Sequence, residues 1–187
     1  MNRYLPLALI AGLLIAFRIV GSAYPESLPN FQPLAAVFFC GALLAPCWRG
    51  FAIPFGIWAL TFPLGVGHTS GPLDFASTCA ALIAIYFLGK ALTHRGLPTL
   101  LLGSAVGAVV FHLITCGAAW ITDPLYAKTL DGLFQSVWAG PVGSKIPSWV
   151  FLRNLTAANV LFTAVFALAQ LRLPKPTLAA SETAFAK

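Results

Sequence analysis

The side chains with the most chemical potential in this sequence are polar groups set within long apolar runs. Near the C-terminus, VFLRNLTAANVLFTAVFALAQ carries Thr156, Asn159 and Thr163 at spacings i, i+3 and i+7, with Arg153 to one side. On a helix these positions lie on one face. Arg18 and Arg153 both lie near the ends of their apolar runs, where they either reach lipid headgroups or, as two cations above one polar bundle, attract an anionic or carboxylate-bearing ligand.

Other polar groups occur at the ends or in the middle of apolar runs. Asp74 opens one run, where it is either a helix N-cap or a ligand contact, and His112 lies mid-run, where it is either a packing residue or a site residue. The stretch PNFQP, stiffened by two prolines, presents amides at the start of another run. The candidate ligand-binding residues are Arg18, Asn30, Gln32, Asp74, His112, Trp120, Tyr126, Arg153 and Asn159.

The composition indicates that lipid surrounds these residues. Of the 187 residues, 59% are hydrophobic and 9% charged, and the mean hydropathy is +0.86. Soluble domains carry about 25% charged residues, so this chain has too few charges to cover its surface in water. The net charge of +6 comes from basic residues scattered singly at the ends of apolar runs. That distribution favours membrane orientation over nucleic-acid binding.

The elements that must position the polar groups are six apolar segments. We place them at 3–21, 33–48, 51–67, 73–93, 98–121 and 149–171. This pattern predicts an all-α, polytopic membrane protein: a six-helix transmembrane bundle forming one domain over 1–172, followed by a flexible cytoplasmic tail at 173–187. The second and third segments are short, so a re-entrant arrangement there stays open.

The first segment has two interpretations. Residues 1–23 have the layout of a cleaved secretory signal. However, Ala8, Gly12 and Ala16 recur at i, i+4 and i+8, which suits close packing against another helix in a membrane. We favour a retained helix that packs on a partner through these small residues.

The basic residues predict that both termini are cytoplasmic. With the N-terminus inside, the inner side carries Arg3, Arg49, Lys90, Arg95, Arg172, Lys175 and Lys187. The outer side carries Arg18, Lys128, Lys145 and Arg153. The excess inside satisfies the positive-inside rule, and it places PNFQP, the 68–74 loop and the 122–148 connection together on the outer face.

The 122–148 connection contains an amphipathic pattern. Asp123-Pro124 resembles a helix start, and apolar residues then recur at helical spacing until Gly140: Leu130, Leu133, Phe134, Val137 and Trp138. We therefore expect an amphipathic helix in the outer loop between helices 5 and 6. It would serve either as a lid over the bundle or as an interfacial anchor.

Catalytic and metal-binding motifs are absent. The cysteines form no CxxC and have no neighbouring histidines, so no metal site is expected: Cys40, Cys47, Cys79 and Cys116. His68, with Thr69 and Asp74 nearby, is the one loop cluster that could serve an intramembrane enzyme, but no GxSxG or HExxH accompanies it. We expect neither catalysis nor a required cofactor.

Four stretches carry a family resemblance: Arg18 and its surroundings, PNFQPLAAVFFCGALL, WITDPLYAKTLDGLFQSVWAGPVGSKIP and FLRNLTAANVLFTAVF. They resemble an uncharacterised family of small bacterial membrane proteins. That family is similar in layout to the substrate-binding S components of energy-coupling-factor vitamin transporters.

The resemblance implies a six-helix bundle in the bacterial cytoplasmic (inner) membrane that binds a vitamin or similar micronutrient near its outer face. It also implies that other transmembrane subunits dock on the small-residue stripe and that separate ATPases supply energy, since the chain has no phosphate-binding loop. The alternative is a non-catalytic accessory subunit of a larger membrane complex, in contact with a pigment or haem through His112.

Overall fold

The computed structural model describes residues 12–17, 19–20, 24, 26–44, 49–62 and 71–172, and every regular element in these ranges is helical. Residues 12–17 form a helical stretch. Seven helices follow: α1 (Leu34–Phe39), α2 (Gly41–Leu44), α3 (Arg49–Thr61), α4 (Pro72–Leu92), α5 (Leu97–Thr122), α6 (Leu130–Trp138) and α7 (Ser148–Arg172).

Three of these helices, α4, α5 and α7, are long and apolar enough to cross a membrane. They confirm the predicted segments 73–93, 98–121 and 149–171 to within a few residues. All three also expose large apolar side chains; on α5, Leu102, Val106 and Leu113 are between 46% and 68% exposed. Water disfavours such faces and hydrocarbon accepts them, so the coarse prediction of an all-helical membrane protein is supported.

The second and third predicted segments form shorter pieces. The second is broken at Cys40 into α1 and α2, and the third is the 13-residue α3 with Pro54 inside it. A helix of 13 residues is about 20 Å long, whereas a hydrocarbon core is about 30 Å thick. None of these three helices is long enough to cross a bilayer alone, so in the described residues these two segments are not full-length spanning helices.

The short helix α1 lies at the centre of the protein. All six of its side chains are buried, with at most 5% exposed. It packs against α3, α4, α5 and α7, which explains why its sequence is apolar on every side. Gly89 allows α4 to approach it closely, since a Cβ there would lie 1.8 Å from the carbonyl oxygen of Phe39.

The amphipathic helix exists, but it begins later than expected. Thr129 caps it, and its hydroxyl accepts a hydrogen bond from the Gly132 N–H. The predicted start at Asp123-Pro124 is wrong because the Asp123 carboxylate instead accepts from the Leu125 N–H at 2.8 Å, forming a turn after α5. The predicted stop is confirmed by Gly140, whose φ of 84° lies in the left-handed region.

The apolar stripe of α6 points away from the bundle. Leu130, Phe134 and Trp138 are 53–82% exposed, whereas the buried positions are the small residues Gly132 and Ser136. A Cβ at Gly132 would lie 1.9 Å from the Ala127 carbonyl oxygen, so the helix starts tightly against its own preceding loop. This orientation favours the interfacial-anchor interpretation over a lid that closes with its apolar face.

Candidate functional site

The PNFQP turn is attached to the last helix by a buried hydrogen bond. The Nδ2 atom of Asn154, in α7, donates to the carbonyl oxygen of Pro29 at 3.0 Å. The Asn154 side chain is only 7% exposed. Sequence reasoning missed Asn154 because it lies outside the stripe of Thr156, Asn159 and Thr163, although an amide within an apolar helix was itself a usable signal.

The turn itself holds two amides in a fixed arrangement. Asn30 adopts φ of 60°, a left-handed conformation that asparagine tolerates. The N–H of Phe31 donates to the Leu28 carbonyl at 3.2 Å, and Gln32 Nε2 donates to Asn30 Oδ1 at 3.4 Å. The Phe31 ring packs 6.3 Å from that of Phe162 in α7. The turn is therefore a packed, half-buried part of the bundle end.

Arg153 lies beside this turn in the second turn of α7. Its Nε atom donates to Asn154 Oδ1 at 3.2 Å, so the Asn154 amide joins the guanidinium to the Pro29 carbonyl. The guanidinium carbon also lies 5.3 Å from the centroid of the Trp149 ring, a cation–π arrangement. Arg153 is thus linked, through Asn154, to the backbone of the turn that carries the two amides.

His112 connects α5 to α6. Its Nε2 lies 2.8 Å from the carbonyl oxygen of Val137. Because a carbonyl only accepts, Nε2 carries the proton in this bond. The Sγ atom of Cys116 is 3.7 Å from the other ring nitrogen, and Ser136 Oγ donates to the Cys116 carbonyl at 3.3 Å. In this arrangement His112 positions α6, and its Nε2 is not free to ligate a haem iron.

Trp120 and Tyr126 hold the connection between α5 and α6. The indole Nε1 of Trp120 donates to the Ala127 carbonyl at 2.8 Å. Lys128 Nζ donates to the carbonyl of Trp120, in the last turn of α5, and to that of Asp123, which follows the helix. Tyr126 is 5% exposed; burial, helped by the charge of Asp123, raises the pKa of its phenol to about 12. Trp120 and Tyr126, both predicted as ligand residues, therefore stabilise the connection between α5 and α6 in this structure.

Asp74 caps the start of α4. Its Oδ2 atom accepts from the Gly71 N–H at 3.0 Å, and the carboxylate is otherwise exposed. The N-cap itself is Gly71, so the N-cap interpretation of Asp74 is wrong in position: Asp74 lies at N3 and its carboxylate completes a capping box, which is a helix-capping role and not a ligand contact. The N-terminus of α4 lies at the same end as α6, because α4 and α5 are joined at the opposite end by the short turn 93–96.

Asn159 lies deep in the protein. It is fully buried, and its Nδ2 donates to the Ser104 carbonyl of α5 at 3.1 Å. Among the residues that the structure describes, its Oδ1 and the hydroxyl of Thr163 find no hydrogen-bond partner. The predicted polar stripe does face the interior. However, Asn159 joins α7 to α5 and lies nearly two helical turns further along α7 than Arg153, away from the PNFQP turn.

Several predicted residues lie outside the described ranges: Ala8, Arg18, Cys47 and His68. Of the small-residue stripe, Gly12 and Ala16 are described; both are exposed, and a Cβ at Gly12 would meet nothing within 4 Å. Within the described ranges, His, Cys, Asp and Glu form no cluster of three or more that could hold a metal ion. The described cysteines are free thiols: Cys40, Cys79 and Cys116.

The chain belongs to DUF6580, a family of unknown function, whose model matches residues 1–178. No curated protein matches the chain. No solved structure matches it either.

Proposed function

We propose that this protein is the ligand-binding subunit of a membrane uptake system for a small, polar, vitamin-like micronutrient. The observation that carries the proposal is the Asn154 amide, which joins the Arg153 guanidinium to the PNFQP turn. This pairing gathers a cation and two half-buried amides at one end of a bundle of apolar helices.

The chemistry of this end suits a ligand with a carboxylate. A guanidinium binds carboxylates through paired N–H groups, and Arg153 uses Nε for its hydrogen bond to Asn154. The N-terminal part of α7 adds a positive partial charge. Asn30 and Gln32 then offer neutral donors and acceptors that distinguish one polar ligand from another.

The remaining parts of the proposal concern the assembly. The predicted six-segment arrangement, with both termini cytoplasmic, puts the PNFQP turn on the outer side of the bacterial inner membrane, where a nutrient arrives. The exposed Gly12 and Ala16 suit docking on another transmembrane subunit. Uptake would be powered by separate ATPases, and this chain would not catalyse a reaction itself.

A second function, a non-catalytic accessory subunit of a membrane complex, is favoured by a different observation. Seven of the nine candidate ligand residues use polar groups for hydrogen bonds inside the chain: Asn30, Gln32, Asp74, His112, Trp120, Arg153 and Asn159. Side chains committed in this way stabilise a scaffold. Such a subunit would require no small molecule.

Native mass spectrometry of the protein extracted gently from its own membrane separates these functions. We expect a co-purifying, water-soluble molecule with a carboxylate, which is lost in Arg153→Gln and kept in Lys145→Gln. Lys145 is a matched control because it is an exposed cation at the same end and pairs with the exposed Glu26. A stable complex with other subunits and no small molecule would reject the uptake proposal in favour of the accessory function.

A further inference from the structure

A groove of about 890 Å³ opens on the side of the bundle, toward the end that is away from the PNFQP turn. It lies between α2, α3 and α4, and most of its walls are apolar: Ala42, Leu43, Phe51, Ala52, Ile83 and Phe87. Its volume is within the range of sites that bind small molecules. None of the candidate ligand residues that the structure describes lines it.

The groove is open toward the surface that faces lipid. Ile83 and Phe87 are 42% and 60% exposed, and both belong to the spanning helix α4. In a bilayer these side chains contact acyl chains. A molecule in the groove would therefore enter sideways from the membrane and would carry an apolar part.

One end of the groove is polar and basic. Lys90, Thr93 and His94 line it at the C-terminal end of α4. Lys90 and His94 are one helical turn apart, both exposed. The first turn of α3, which begins at Arg49, forms part of the facing wall through Phe51 and Ala52.

The described carboxylates all lie at the other end of the bundle. Asp74 begins α4, Asp123 follows α5, Asp131 is in α6, and Glu26 pairs with Lys145 in the connection after α6. In the part of the chain that the structure describes, no acidic side chain lines the groove or neutralises Lys90. The basic end is thus complementary to an anion.

We propose that this groove binds an acidic membrane lipid. One acyl chain lies along the apolar walls, and the anionic headgroup is held by Lys90 and His94. Basic pockets between transmembrane helices bind anionic lipid headgroups in this way. The site is independent of the proposed micronutrient site, because the two lie at opposite ends of α4 and share no residue.

Native mass spectrometry of the detergent-purified, delipidated protein tests the proposal with two lipids of identical chains, dioleoyl phosphatidylglycerol and dioleoyl phosphatidylcholine. We expect one tightly bound phosphatidylglycerol, preferred over phosphatidylcholine by at least about five-fold, the effect of one interfacial cation. Lys90→Gln should remove that preference. Lys90→Arg should keep it, and so should Lys145→Gln, which removes an exposed cation at the far end.

A second variant tests the apolar walls. Ala52→Leu narrows the groove without changing charge and should weaken both lipids equally, with an unchanged elution volume to show that the fold is intact. Three results would overturn the proposal: equal binding of the two lipids to the native chain, an equal loss in Lys145→Gln and Lys90→Gln, or unaltered binding in Ala52→Leu. Glycerol 3-phosphate competing as well as the whole lipid would also reject it, because the walls would then contribute nothing.

Discussion

Replacing each of two buried asparagines in α7 by leucine should have very different effects on stability. Asn154 is the donor for the carbonyl of Pro29, and Pro29 lies in a buried turn outside any helix. Asn154→Leu leaves that carbonyl without its donor, which costs about 1–3 kcal/mol. For a chain of this size, about 2 kcal/mol corresponds to a fall in melting temperature of roughly 4–8 °C.

Asn159→Leu is the matched control, on the same helix and with the same change. Asn159 donates to the Ser104 carbonyl, which already belongs to the hydrogen-bond ladder of α5. The substitution also removes a buried oxygen that has no partner. We therefore expect a change within about 1 kcal/mol of the native free energy of unfolding.

The assay is thermal unfolding of the two variants in one mild detergent, followed by the loss of the monodisperse peak on size exclusion. The result that refutes the reasoning is equal melting temperatures, or a larger fall in Asn159→Leu. Either would mean that the Asn154 bond does not hold the PNFQP turn, and the proposed ligand site would lose its geometric basis.

Two further results are expected. Gly89→Ala should destabilise the protein by at least about 2 kcal/mol, because the new Cβ would lie 1.8 Å from the Phe39 carbonyl oxygen. Gly107→Ala is the control: the nearest atom to its Cβ would be 3.7 Å away, so it should be neutral or slightly stabilising. Thermal unfolding of the two variants measures the difference. Burial raises the pKa of Tyr126 from 10.0 to about 12, so its contribution to stability is present below pH 10 and is lost as the pH rises toward 12. Tyrosinate absorbance and melting curves are measured over this range for the native protein and for the control Tyr126→Phe. Identical pH dependence of the two proteins would contradict the prediction.

The long helices could be read from the sequence, and the short ones could not. For α4, α5 and α7, more than 20 residues of apolar sequence indicate a spanning helix whatever its neighbours are. For 33–48 the same apolarity has another origin, because α1 is surrounded by protein instead of lipid. Composition alone cannot distinguish these two environments, and the break at Cys40 depends on packing.

The candidate site shows a similar division. The sequence predicted that Arg153 and the PNFQP amides lie on the same outer side, but the residue that links them, Asn154, is defined by a contact 125 positions away in the chain. The polar groups of His112 and Trp120 were visible as unusual in an apolar run. Their partners are backbone carbonyls of Val137 and Ala127, and a carbonyl carries no residue-specific signal in a sequence.

The central position of α1 has a consequence for how the chain enters the membrane. Residues 34–44 are too short to cross a bilayer, and the helices that enclose α1 include α4, α5 and α7, which are all synthesised after it. The ends of so short a helix leave backbone N–H and C=O groups that hydrocarbon cannot satisfy. We therefore expect α1 to take its enclosed position late in assembly, after the long C-terminal helices that surround it have been inserted.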